Sequence, residues 1–442
     1  MLERLIMHIK NFNTTNELKG KGYRNIISLI VVLFLLAIQS LSIDKLSFLS
    51  VPFLLLMIFI LVLNIMLLGI RIHLLEGHLW LILCFFMMLF SVLVSDNFSN
   101  SIQYFSYYVL FGIILIILSN TIGWHSICLK TQLVFSMTHA IITIISVFLP
   151  IVYYALVLPM YSTINQNLIV YWMQNNSYPG IAGQLGTNSF LITLGIAIVF
   201  ANIFSKKSQK GKIQIIFLLI LIAALFLTGK RGMLIGNIIA ALVTWYVGPL
   251  SLKKTRIFNI LLASAIVVIT IYILSGFIPA LEQTLGRFVN NGDDTDFSSG
   301  RFELYEGALQ LFKEYYLFGS GIGTYTSLSN GEIDTSLGAH NDLLQMMVET
   351  GFIGSVIYFI PIIWVLNRTF KLIRMAYRNQ YGHEFYKYRP YLLASLYIQI
   401  IILFYSMIGN PFHYYNMLFI YMIFAAIPMG VELAFKRKEQ NR

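Results

Sequence analysis

Hydrophobic positions in this chain fall neither into the 3.6-residue stripe of a soluble helix nor into the alternation of a half-buried strand. They form long unbroken apolar runs between short polar segments. A helix needs about 20 mostly apolar residues to cross a bilayer. Reading for such runs predicts twelve, over 25–43, 51–70, 79–94, 102–119, 133–158, 183–204, 213–228, 232–249, 257–279, 343–366, 391–409 and 412–433. The first run is too long for a signal-peptide core and lacks a small-residue cleavage site, so it is expected to remain as a membrane helix. One stretch departs from this pattern. Between Arg301 and Tyr316 the residues Phe302, Tyr305, Leu309, Phe312 and Tyr316 recur at helical spacing, with Glu306, Gln310 and Lys313 opposite. That is an amphipathic helix, lying on the membrane face or capping a cavity. The expected fold is all-α: one polytopic membrane domain, residues 1–442, with about 12 transmembrane helices and a large extracytoplasmic loop over 280–340 that carries the amphipathic helix. No internal repeat or low-complexity tract is evident.

Composition agrees, and charge adds a direction. Hydrophobic residues make up 58% and charged residues 11% of the chain, against roughly 25% charge in a soluble domain. Positive residues in short loops are retained in the cytoplasm. With both termini inside, the cytoplasmic segments hold 24 of the 30 lysines and arginines, leaving Lys45, Lys230, Arg231, Arg287, Arg301 and Lys313 outside. The net charge of +11 is therefore mostly topology and anionic-lipid contact, with no aromatic-interleaved basic patch to suggest nucleic acid. Cys84 and Cys128, one in an apolar run and one in a loop expected in the cytoplasm, offer neither a disulfide framework nor a metal spacing.

The outward cations are informative because topology does not explain them. Lys230 and Arg231 sit in Thr228-Gly-Lys-Arg-Gly232, a hairpin so short that both must lie at the outer surface. The plain reading is snorkelling at a helix end; the functional one is a fixed anion site, for which arginine's fork suits phosphate oxygens. The uncharged segment Pro159–Gly180 mixes Asn165, Gln166, Asn167, Gln174, Asn175 and Asn176 with Tyr161, Tyr171, Trp172 and Tyr178, which suits either sugar binding or an interfacial aromatic belt. Nine of the 19 acidic residues lie between Glu282 and Asp334, and Asp342 and Glu349 follow. Asp294-Thr-Asp296 has the form of a DxD metal site but reads as solvated loop, and Gly319-Ser-Gly-Ile-Gly323 reads as a tight turn, since its spacing is not that of a dinucleotide loop. His340 opens the tenth run. Asp342, Gln345 and Glu349 follow at i, i+3 and i+7, one polar stripe entering the membrane. An intramembrane carboxylate is a functional candidate, with a structural hydrogen bond to a neighbouring helix as the alternative.

These residues resemble the O-antigen ligase and polymerase superfamily of bacterial surface-polysaccharide synthesis (Wzy- and WaaL-like). The resemblance rests on Thr228-Gly-Lys-Arg-Gly232, on Ser299-Gly-Arg301, on the Gly319–Gly323 run and above all on Ala339-His-Asn-Asp-Leu-Leu-Gln-Met-Met-Val-Glu-Thr-Gly351, and its core spans 183–366. It implies a GT-C-like fold in the bacterial cytoplasmic membrane. It also implies a metal-independent, inverting glycosyltransferase acting outside the cytoplasm on a glycan carried by undecaprenyl pyrophosphate, without cofactor. By position, Arg231 and Arg301 match the family's essential arginines and His340 its essential histidine, while Lys230 stands where a small residue such as serine is usual. Lys230, Tyr305, Asn341, Asp342, Glu349 and His413 are candidates for contacting substrate. The implied partners are the lipid-linked donor and acceptor, membrane lipids, and a flippase and chain-length regulator. Polymerisation of repeat units into O-antigen, capsule or exopolysaccharide is favoured over ligation to lipid A core. The rivals from other classes are a lipid-linked oligosaccharide flippase or other transporter, expected to show midplane helix breaks in related halves, and a structural membrane partner.

Overall fold

The computed structural model describes residues 27–40, 42–50, 73–121, 123–205, 211–248, 301–328, 338–378 and 385–440, with scattered positions in 51–60 and 269–286. Among the described residues there is no strand. The helices are α1 (Ile27–Ser40), α2 (Glu76–Leu93), α3 (Phe98–Ser119), α4 (His125–Phe148), α5 (Pro150–Leu156), α6 (Thr163–Gln174), α7 (Leu185–Ser205), α8 (Gly211–Leu227), α9 (Arg231–Val247), α10 (Arg301–Glu314), α11 (Tyr325–Leu328), α12 (Asp342–Tyr377), α13 (Arg389–Ser406) and α14 (Tyr415–Gln440). Seven of these segments, α2, α3, α4, α7, α12, α13 and α14, are long and apolar enough to cross a membrane, while α1, α8 and α9 are shorter apolar helices. The expected runs 51–70 and 257–279, the acidic loop with Asp294 and Asp296, and Ser299 lie largely or wholly outside the described residues.

Two runs differ instructively from expectation. The fifth breaks at Leu149, because Pro150 has no amide to continue the ladder and instead starts α5. This run also begins earlier than expected, so Cys128 is helical rather than in a loop; it and Cys84 are buried free thiols. The tenth runs on to Tyr377, because Thr369, Leu372, Ile373 and Ala376 continue a buried stripe at i, i+3, i+4 and i+7 after the apolar run itself has ended.

Packing divides the helices into two groups. In one, α2 lies between α3 and α12, and α3 packs on α14; in the other, α4, α7 and α8 pack on one another and α9 touches α7 and α8. The helix α13 joins the groups, touching α7 and α9 on one side and α12 and α14 on the other. Burial follows this order: 89% of the α14 span and 72% of the α13 span are buried, against 33% for α4, so the outer helices present their apolar surface to lipid. The end of α13 therefore reaches a seam between two helix groups, and the segment that leaves it, 407–414, organises everything around it.

Candidate active site

The turn Met407-Ile-Gly-Asn-Pro-Phe-His-Tyr414 is met from every side. From α9, Gly232 presses so closely on Ile408 that a Cβ at 232 would collide with its side chain. From α10, the Tyr305 hydroxyl donates to the Met407 carbonyl at 3.0 Å. From the residues preceding α12, Gly338 lies against Asn410, whose amide donates to Gln345 Oε1 at 2.7 Å. From α3, the Tyr108 hydroxyl donates to the Phe412 carbonyl at 2.9 Å. The first turn of α9, the described start of α10 and the first turn of α12 thus converge on one loop.

Those first turns carry the cations and the histidine. α8 ends at Gly229 with φ +68°, the left-handed cap that glycine adopts without penalty, and α9 restarts at Arg231 with Lys230 as its cap residue. Arg301 is the first helical residue described in α10. His340 precedes α12 with φ +50°, a conformation rare for a side chain with a Cβ. Asn341 caps that helix, its Oδ1 accepting from the amides of Leu343 at 3.0 Å and Leu344 at 3.2 Å. The imidazole of His340 is half-buried. Burial lowers its pKa from the ordinary value, and the positive charges of Arg301 and Lys230 lower it further. The two cations and the histidine, 39 and 110 residues apart along the chain, thus share one electrostatic neighbourhood. Near neutral pH His340 is uncharged and able to accept a proton. Arg301 also bears on Tyr305, whose hydroxyl meets the Asn341 side chain and lies 3.4 Å from the His340 carbonyl.

Asp342, Glu349 and His413 are placed otherwise than as open substrate contacts. All three are buried and bonded to one another. His413 Nδ1 lies 2.6 Å from Asp342 Oδ1, and His413 Nε2 lies 3.1 Å from Glu349 Oε2. The second Asp342 oxygen accepts the Phe412 amide at 3.0 Å. Glu349 further accepts the Gly323 amide at 2.8 Å and the Gln345 side chain at 2.9 Å. The expected polar stripe of Asp342, Gln345 and Glu349 is real, and it faces protein. Burial alone would depress the His413 pKa, but Glu349 and Asp342 on either side push it up to about 10, so the imidazole is a cation locked between carboxylates.

The glycine run is a tight turn, as expected, and its role is to meet Glu349. Gly319, Gly321 and Gly323 all have positive φ. At Gly351 the helix α12 is broken, with φ +68° and ψ −176°. The break releases the carbonyls of Val348 and Glu349 to the amides of Ser320 at 3.0 Å and Gly321 at 2.9 Å, while the Phe352 amide turns to the Tyr316 carbonyl at 2.8 Å. Nonhelical backbone inside a membrane protein is tolerated where another backbone satisfies it, and here the exchange is reciprocal. Sequence reasoning missed this stitch. It also missed the side chains of α3 that hold the turn, where Asn100 donates to the Gly323 carbonyl and Ser101 to that of Ile322.

Two further expectations meet the structure. α10 is amphipathic, but Leu304 and Ala308 are its buried positions, Ala308 packed with Tyr325, Ala339 and Val348, whereas Phe302, Leu309 and Tyr316 are exposed. In Pro159–Gly180 much of the amide set is engaged locally: Asn165 donates to Asp44 at 2.6 Å, Gln166 to the Tyr161 carbonyl at 2.9 Å and Asn175 to that of Tyr171 at 2.8 Å. Asn167 and Gln174 remain exposed.

Residues 216–359 match the family model described as O-antigen ligase (Wzy_C). The matched segment runs from α8 into α12, contains Arg231, Arg301 and His340, and supports the O-antigen ligase and polymerase superfamily. No curated protein matches the chain.

Proposed function

We propose that this membrane protein of the O-antigen ligase and polymerase superfamily transfers a glycan from a polyprenyl pyrophosphate to a sugar hydroxyl, and that it acts as the polymerase of lipid-linked repeat units. The observation that carries the reading is the half-buried His340 at the seam, its pKa lowered by burial and by the charges of Arg301 and Lys230. Such a base accepts the acceptor hydroxyl's proton as its oxygen attacks the anomeric carbon. The bond from that carbon to the pyrophosphate breaks in the same displacement, which inverts the centre. Arg231 and Arg301 neutralise the departing pyrophosphate, the part a metal ion plays in other enzymes. On this reading the site faces away from the cytoplasm, since Lys230, Arg231 and Arg301 are among the few cations that the charge distribution leaves outside.

The test is a deletion followed by sizing of lipid-linked and surface glycans. A polymerase deletion leaves single repeat units. Long chains persisting on the carrier lipid after deletion would instead establish ligation, the reading that the description of the matched family favours. In either case His340→Ala abolishes transfer at normal protein level; retained transfer rejects the catalytic assignment and with it glycosyl transfer at this site. A flippase would go on moving lipid-linked units across vesicles in the His340→Ala protein.

A further inference from the structure

His413 lies beyond the matched segment 216–359, and nothing in the catalytic scheme uses it. Its surroundings form a closed circuit with the proposed base. Asp342 is two residues from His340, so their Cα atoms are at most about 7 Å apart. Asp342 is fixed to His413 and to the Phe412 amide. The chain then runs back through the turn to Met407, whose carbonyl holds the Tyr305 hydroxyl. That hydroxyl lies 3.4 Å from the His340 carbonyl and meets the Asn341 side chain, which closes the circuit at the residue next to the base. On its other side His413 grips Glu349, which holds the amides of Gly323 and Tyr325. One imidazolium therefore ties the start of α12, the turn before α14 and the glycine turn into a single body. The strained φ of +50° at His340 persists only where its surroundings over-determine it.

We infer that His413 is the positioning residue of this enzyme: braced between Asp342 and Glu349, it fixes the backbone of His340 and so the place of the base between Arg301 and Lys230. The inference rests on the glycosyl-transfer reading above. The groups facing His413 are Asp342 and Glu349 from α12, Tyr104 from α3 with its ring 6.1 Å away, and the adjoining Tyr414. Those bearing on His340 are Arg301 and Lys230, with Tyr305 on its carbonyl.

The experiment compares full-length wild type, His413→Gln and the double variant His413→Gln/Glu349→Gln, reconstituted with the undecaprenyl-pyrophosphate-linked repeat unit isolated from a host lacking this gene. The single variant leaves two buried carboxylates without a countercharge, and misfolding there is the expected cost. The double variant keeps hydrogen-bonding groups at both positions and one negative charge, so it supplies the decisive measurement. Expected is a fall in kcat of about 100-fold with KM for the donor nearly unchanged, as follows from misplacing a base by about 1 Å. The acid limb of the pH–rate profile should also move up towards the ordinary imidazole value of about 6.5, because a base released from its place loses the burial and the cations that depress it. A brace that only supports the fold lowers the amount of active enzyme and leaves the acid limb of the remainder where it was; that result, or wild-type kcat in the double variant, overturns the inference. Transfer surviving in His340→Ala overturns the functional reading instead.

Discussion

The stitch at Gly351 yields a quantitative prediction. Replacing Gly351 by Ala forces a Cβ into a residue with φ +68°, where it would collide with the backbone of Leu317 and Phe318. Backbone with φ +68° and ψ −176° is essentially confined to glycine, and holding a residue with a Cβ there costs at least about 1–2 kcal/mol. The collision is with backbone, which has no rotamer to move, so the segment from Tyr316 to Gly321 must draw away from α12. That movement removes the bonds from Ser320 to Val348, Gly321 to Glu349 and Phe352 to Tyr316. Losing these three buried backbone bonds at about 1 kcal/mol each, the low end for unpaired groups, brings the total to about 4–5 kcal/mol, against a native stability of about 5–15 kcal/mol. Gly351→Ala should therefore melt well below wild type in detergent, followed by size exclusion after heating, and should lose transfer. Gly186→Ala is the matched control: its Cβ would meet only the Tyr405 hydroxyl at 3.1 Å, with no unusual φ, and its effect should stay within about 1 kcal/mol. Indistinguishable melting of the two variants would refute the stitch.

Removing the Arg301 charge by Arg301→Gln should raise the His340 pKa, since Arg301 lowers it; the acid limb of any residual activity moves to higher pH, and an unmoved limb separates Arg301 from the base. The His413 brace predicts the pH dependence of stability. A group whose folded pKa of about 10 exceeds its unfolded value near 6.5 contributes fully below the unfolded value and loses that contribution as pH rises through the folded one. The melting temperature should fall as pH approaches about 10, and the fall should be smaller in His413→Gln/Glu349→Gln, as thermal melts across that range will show. Inorganic pyrophosphate at about 100 times its Kd should stabilise wild type by about 2.7 kcal/mol, seen as a higher melting temperature. Equal stabilisation of Arg231→Lys/Arg301→Gln would show that the arginines are not its binding site.

Seven of the twelve expected membrane helices are found among the described residues, legible because each is decided within its own 20 residues. Where the structure differs, a local cause is at hand, as with Pro150 splitting one run and the Thr369–Ala376 stripe lengthening another. The polar stripe on α12 was legible from the spacing of Asp342, Gln345 and Glu349, but spacing on one helix says nothing about what the other side supplies. The partner, His413, lies 71 residues from Asp342 and 64 from Glu349. In the sequence it was a candidate for contacting substrate, and only the packing of α14 against α3 and α13 brings it to α12. Gly351 was similarly silent, since its positive φ is required by an exchange of hydrogen bonds with Tyr316–Gly321 that no pattern within α12 announces.

On the glycosyl-transfer reading proposed above, the positions of Arg231, Lys230 and Arg301 bear on the chemistry. Arg231 opens α9 with Lys230 as its cap residue, where the macrodipole is positive and a cation costs about 0.3–1 kcal/mol. Snorkelling to the membrane surface accounts for a cation near a helix end, but it is equally served at a C-terminus, where the dipole would help. Lys230 adjoins Arg231 in the chain, and the lowered pKa of His340 registers the charges of Lys230 and Arg301. An anion reverses the sign of every one of these terms at once. On the proposed reading, the same field that repels a proton from His340 attracts the departing pyrophosphate, so general base and leaving-group clamp are two effects of a single charge arrangement.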